Sequence, residues 1–208
     1  MLKHPQPGGF TLIELMLGLA IMCILLFIGV PSLTTTIQNY QIRTASEATL
    51  NGLQYARNEA LRRNTSVRFQ LVSSLDANCN LAATGTNWVV SRNDPTAACD
   101  GATLIDFIEP NDLSQPQILA MRAGQEGSPN VAVSATSGGG AATTVIFSNL
   151  GRVAGGGIDT INLSNPSGGT CESAGGKMKC MRILVGRGGQ VKMCDPAVSS
   201  MTDPRYCP

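Results

Sequence analysis

From Phe10 to Val30 the chain runs for twenty-one residues with a single charge, Glu14, and from Leu15 to Val30 for sixteen with none. This is close to the ~20 residues that a helix needs to cross the hydrocarbon of a bilayer. The remainder of the 208 residues leaves room for one compact domain and not for two. The small pair Gly8-Gly9 precedes the apolar run, and nothing like A-x-A follows it, which is the reverse of a secretory signal. The segment therefore reads as one retained span. Lys3 before it keeps the short leader on the cytoplasmic side and sends the rest of the chain out.

The cysteines point to the same orientation. Cys23 lies in the apolar run, where a thiol behaves as a small hydrophobe. The other six, Cys79, Cys99, Cys171, Cys180, Cys194 and Cys207, all lie downstream. Their spacings contain no C-x-x-C, and the only histidine, His4, precedes the span, so a zinc site is not expected. Three disulfides outside the cytoplasm account for them better. Six cysteines admit many pairings. Neighbours in sequence, Cys79 with Cys99, Cys171 with Cys180 and Cys194 with Cys207, are the expected ones because each would close a surface loop.

After Pro31, apolar or small residues recur at helical spacing (Leu33, Ile37, Tyr40, then Leu50, Leu53, Ala56, Ala60), as in a helix that lays one face on a sheet. Asn64-Thr65 ends that pattern. Ser66 to Val72 then alternates with period two, as a half-buried strand does. Further strands are expected at Trp88 to Ser91, Thr103 to Ile108, Gln117 to Arg122, Val131 to Ala135, Thr143 to Phe147, Ile158 to Leu163, Cys180 to Val185 and Gln190 to Met193. One long helix followed by strands without βαβ alternation predicts an α+β domain with an antiparallel sheet packed on the helix.

Little in the chain suggests catalysis. Without His4 the remainder has no histidine, which removes Ser-His and Cys-His pairs, and the acids are scattered through loop-like sequence. Gly138 to Gly140, Gly155 to Gly157 and Gly168-Gly169 lack the Lys-Ser/Thr or G-x-G-x-x-G context of phosphate cradles and read as turns. No cofactor or metal is implied. Formal net charge is +1, so no global field selects a partner. Locally, residues 76 to 126 carry seven acids against Arg92 and Arg122. Residues 177 to 208 carry six bases, Lys177, Lys179, Arg182, Arg187, Lys192 and Arg205, against Asp195 and Asp203.

Gly9-Phe10-Thr11-Leu12-Ile13-Glu14-Leu15 resembles the processing site of type IV pilins and type II secretion pseudopilins. The resemblance implies cleavage between Gly9 and Phe10 by a prepilin peptidase and N-methylation of Phe10. It also implies a role for Glu14 and Pro31 in assembly: Glu14 neutralises the terminal amine of a neighbouring subunit, and Pro31 marks where the helix bends. A charge at mid-bilayer costs on the order of 2.5–3.5 kcal/mol and less near one end, so energetics alone leave Glu14 unexplained.

Val145 to Val153, with Phe147, Gly151 and Arg152, is similar to the F-x-x-x-G-R hairpin of the FimT, FimU and GspH group of minor pilins and pseudopilins. Arg182 to Pro196 looks like the closing hairpin and cysteine tail of FimT and FimU proteins. DNA-binding FimT proteins carry G-R-x-R there. Aligned on Cys194-Asp195-Pro196, that motif falls on Gly189-Gln190-Val191-Lys192, so one arginine is Gln and the other Lys. Gln brings no charge to a phosphate and Lys no bidentate fork, although Arg187 lies just before.

The resemblance implies a pilin-like α+β chain: a leader at 1–9, a transmembrane and assembly helix at 10–31, the amphipathic half of the spine at 32–64 and an extracytoplasmic β-rich head at 65–208. It implies an inner-membrane protein with a periplasmic head that joins a pilus fibre or its tip. Its partners would be other major and minor pilins through the helix, the prepilin peptidase, the membrane and, in the FimT variant, DNA. A pseudopilin of type II secretion is the third possibility.

Overall fold

The structure, a computed structural model, describes residues 9–100 and 117–208, and of residues 27–32 the backbone only. The expected leader before Gly9 and the expected strand Thr103 to Ile108 lie outside the described residues. The chain divides into two compact units, Met1–Ile37 and Gln38–Pro208. One helix, α1 (Leu12–Arg63), runs through the first and opens the second.

In the first unit every described side chain from Phe10 to Leu26 is exposed. Among the described residues no helix is long and apolar enough to cross a membrane. The described apolar run stops at Leu26, whereas the expected span continues across 27–31, whose side chains are not described. The helical backbone continues through Pro31.

In the second unit α1 buries Ile42, Ser46, Thr49, Leu53, Ala56 and Ala60, a repeat of four and three residues that forms one helical face. The expectation for the first half of this helix needs correction. Leu33, Ile37 and Tyr40 are 63%, 57% and 67% exposed, and the burying face is set by Ile42, Ser46 and Thr49 instead. Two of these are hydroxyl residues. Burial is tolerated because Ser46 Oγ donates to the Ile42 carbonyl (2.8 Å) and Thr49 Oγ1 to the Ala45 carbonyl (2.9 Å). α1 ends at Asn64, whose φ of 51° is left-handed, while the Thr65 N–H returns to the Ala60 carbonyl at 3.2 Å.

Nine strands follow among the described residues: β1 (Val67–Val72), β2 (Asn87–Ser91), β3 (Ile118–Arg122), β4 (Ala132–Ser137), β5 (Gly140–Ala141), β6 (Thr144–Phe147), β7 (Thr160–Ser164), β8 (Met181–Val185) and β9 (Val191–Cys194). They form two antiparallel sheets, ordered β3-β2-β1-β6 and β5-β4-β7-β8-β9, where the sequence suggested one. A single core joins them to α1: Val67, Phe69 and Leu71 of β1, Ile161 and Leu163 of β7, and Ile183 of β8 meet Leu53, Ala56 and Ala60. The reverse face of the first sheet is not open. Val72, Val89 and Ile118 form a second, smaller cluster with Cys79 and Cys99, so the loop closed by that disulfide covers them.

Gly52 sets how closely the helix approaches the first sheet. A Cβ there would stand 2.9 Å from Phe69 Cε2 and 3.0 Å from Trp88 Cζ2. Phe69 and Trp88 themselves pack with ring centroids 5.7 Å apart. Near the helix end, buried Glu59 accepts hydrogen bonds from Arg62 (2.8 and 3.0 Å) and from Arg63 Nε (2.6 Å). Burial pushes its carboxyl pKa up, but the two guanidinium groups outweigh it and hold the carboxyl below its ordinary value.

Two outcomes follow from this packing. Gly52→Val adds a branched side chain against two aromatic rings and lowers stability by about 1–3 kcal/mol in chemical denaturation, beyond anything helix propensity returns. For Glu59, a depressed folded pKa means its contribution is present above its unfolded value near 4.5 and is lost as pH falls through the folded pKa. Glu59→Gln therefore destabilises at pH 7, and the difference from the parent chain narrows on acidification below about pH 4.

Candidate functional site

Two places carry the residues singled out by the sequence. The first is the start of α1. Gly9 and Phe10, the expected cleavage point, are exposed, Phe10 by 85%. Glu14 lies in the first helical turn, and its N–H meets Thr11 Oγ1 at 3.4 Å. Thr11-x-x-Glu14 therefore has the spacing of a helix capping box, with an acid at the positive end of the helix dipole. The sequence reading missed this local use of Glu14, although the T-x-x-E spacing is the signal for it.

The second place is the pair of hairpin turns that follow β6 and β8 in the second unit. Gly151, the glycine of the F-x-x-x-G-R stretch, has φ 69°, and the turn closes through Ser148 N–H to Arg152 C=O (2.8 Å) and Gly151 N–H to Ser148 C=O (2.8 Å). In the β8–β9 turn, Gly189 has φ 81° and is buried. A Cβ at 189 would overlap the Gly151 carbonyl oxygen. The same oxygen accepts from Arg57 Nε of α1 at 3.1 Å, and Val153 N–H donates to the Arg187 carbonyl at 3.1 Å. Helix and both hairpins thus meet on one carbonyl. Arg57 was not singled out in the sequence, and no local pattern pairs it with a residue 94 positions away.

This geometry explains the glycine of the aligned G-R-x-R motif. Gly189 is required by the junction, with or without DNA. Gln190, standing where the motif has arginine, folds its amide back over its own turn against Gly186.

The six basic residues are spread along and beyond β8 and β9. Arg182 in β8 and Lys192 in β9 share a sheet face, because Lys192 pairs with Leu184 and Cys194 with Arg182. Arg187 lies beyond one end of β8 and Lys177 and Lys179 beyond the other. Three of the six are committed within the chain. Arg182 Nε donates to Asn162 Oδ1 (2.8 Å), Lys192 Nζ to the Tyr206 carbonyl (3.0 Å), and Arg205 to both carboxylate oxygens of Asp203 (2.8 and 3.2 Å). The side chains of Lys177, Lys179 and Arg187 have no hydrogen-bond or ion-pair partner among the described residues.

The cysteines are joined as sequence neighbours, Cys79–Cys99, Cys171–Cys180 and Cys194–Cys207, across 20, 9 and 13 residues. The last ties the tail to β9, where Asp195 N–H also bonds the Arg205 carbonyl (2.8 Å). Among the described residues no cluster of His, Cys, Asp or Glu is placed to hold a metal.

Gly189→Ala meets both the positive φ and the Gly151 oxygen, and lowers stability by about 2 kcal/mol or more, whereas Arg187→Gln, at an exposed side chain without a partner, stays within about 0.5 kcal/mol. Thermal or chemical denaturation with the disulfides intact measures both.

The Type II transport protein GspH family matches residues 45–189, and the prokaryotic N-terminal methylation motif matches residues 7–30. Among solved structures, the type IV minor pilin FimU of Pseudomonas aeruginosa in one crystal form is similar at 12% identity, covering 78% of this chain and 94% of that one, with a TM-score of 0.46. A second crystal form is similar at 11% identity, over 76% and 97%, with a TM-score of 0.42. No curated protein sequence matches. With the N-terminal methylation motif over residues 7–30 and the GspH match over most of its length, the chain belongs to the GspH family and is a minor pilin or pseudopilin of the type IV pilus and type II secretion class.

Proposed function

We propose that the chain is a minor type IV pilin that serves pilus assembly or priming and stands in or near the fibre tip, contributing there to adhesion and twitching motility. It is made with a leader, 1–9, that a prepilin peptidase removes before methylating Phe10. Residues 10–31 hold it in the inner membrane as a single pass, with its head on the periplasmic side, until assembly. The same helix then packs among other major and minor pilins, while 32–64 carries the head, 65–208.

One observation carries this reading: the large apolar side chains from Phe10 to Leu26 are all at least half exposed, from 51% at Ile21 to 85% at Phe10. A continuous apolar surface of that kind is not stable in water and needs lipid or other helices to cover it. In such surroundings Glu14 requires a partner, and the amine created at Phe10 by cleavage of a neighbouring subunit supplies one.

DNA uptake is less well supported. Arg182, Lys192 and Arg205 are engaged within the chain, and Gln190 replaces a motif arginine. Secretion is the stronger second reading, because the matched family is described as a type II transport protein.

Deletion of the gene, scored for piliation, protein secretion and DNA uptake in one strain, separates the three; loss of secretion with pili intact overturns the first. Because glutamine also serves in a capping box, Glu14→Gln keeps the helix start and removes only the charge. The expected result is normal membrane insertion and cleavage with poor entry into fibres, and Glu14→Leu behaves alike. Normal assembly of Glu14→Gln would reduce Glu14 to a cap.

A further inference from the structure

Beside the junction of the two hairpins lies a cavity of ≈ 490 Å³, the size of a small-ligand pocket. Its floor is apolar, from Val153, Ile158 and Val185. Its walls hold one cation, Arg187, and one carboxylate, Asp159, which already accepts the Gly138 N–H at 2.6 Å. Gly155 to Gly157, with Ser137 and Gly138, form the rest of the wall. Among the described residues their N–H groups have no hydrogen-bond partner, and Cβ atoms at 155 and 156 would meet nothing within 4 Å. At 155 and 156 the glycines leave bare main chain beside this space, and at 157 the main chain lies close to the Thr144 carbonyl, where a Cβ would stand 2.8 Å from its oxygen.

These features select among ligands. A continuous polyanion would have to run past the Asp159 carboxylate, and there is no aromatic wall on which a base or sugar ring could stack. A purely apolar ligand would leave Arg187 and the glycine amides unpaired. An extended polypeptide meets all the groups at once: main-chain carbonyls for the glycine N–H groups, a carboxylate for Arg187, a cationic or amide side chain for Asp159, and small apolar atoms for the floor. We infer that this groove, walled by Arg187, Asp159 and Gly155 to Gly157, binds a short extended peptide segment that bears a carboxylate.

In the assembled state that segment belongs to a neighbouring subunit, a point that rests on the assembly reading above; the groove's peptide chemistry does not. The two fail separately. If deletion leaves piliation intact while the groove binds peptide, only the identity of the partner changes.

The test is an NMR titration of the isotope-labelled full chain in detergent micelles. The probe is the tetrapeptide acetyl-Lys-Gly-Gly-Asp-amide, with a short oligothymidylate as comparison. The peptide is expected to shift the amide signals of Gly155 to Gly157, and Arg187→Gln and Asp159→Asn are each expected to weaken it about tenfold, as loss of one charge-assisted contact does. Asp159→Asn keeps the acceptor for the Gly138 N–H, so the turn survives the change. Unmoved glycine signals, or variants that bind as the parent does, would overturn the proposal. So would binding of the oligothymidylate that Asp159→Asn strengthens, since that sign belongs to a phosphate site.

Discussion

The close approach of α1 to the first sheet at Gly52 is the constraint on which the head depends. With no side chain at 52, Phe69 and Trp88 reach the helix, and Leu53, Ala56 and Ala60 complete the face against which both sheets close. A larger residue would hold the helix off and open the core at its centre, where packing to crystal-like density supplies most of the stabilisation. The price of Gly in a helix, about 1 kcal/mol relative to Ala, is offset by aromatic burial worth roughly 1.5–3 kcal/mol per ring.

Outside that core the head is rich in loops and held by other means. The Cys79–Cys99 bridge sits in its own small cluster on the reverse of the first sheet, and the Cys194–Cys207 bridge binds the tail beside β9. Each closes a loop that the unfolded chain would leave open, a contribution of ~2–4 kcal/mol in entropy models. At the two hairpin turns the Gly151 carbonyl serves helix and hairpin together, so the F-x-x-x-G-R turn and the closing hairpin are parts of one joint. A side chain added at Gly189 is felt in both turns, whereas the exposed Arg187 side chain is not part of the joint.

Legibility differed from element to element. Every expected strand that falls within the described residues is present to within two residues at either end, since period-two alternation and turn residues are local signals. Among the strands of the described residues, only the two-residue β5 went unseen. The first half of the helical face was misread at Leu33, Ile37 and Tyr40 because apolar identity was taken as the mark of burial. Ser46 and Thr49 are buried instead, their hydroxyls satisfied on their own helix. The basic residues looked equivalent in sequence, yet hydrogen bonding divides them into committed and free, and that division rests on contacts with Asn162, Asp203 and the Tyr206 carbonyl.

The sequence by itself determined the N-terminal methylation motif, the apolar run, the order of helix and strands and the neighbour spacing of the cysteines, because each is written in residues close along the chain. Tertiary structure alone decided that there are two sheets, that Gly52 sets the distance between helix and aromatic rings, that Gly189 rests on Gly151 with Arg57 beside it, and that Arg187 and Asp159 share a groove. These relations join residues tens of positions apart. Local periodicity carries no information about which distant groups use up one another's hydrogen bonds and which are left to act.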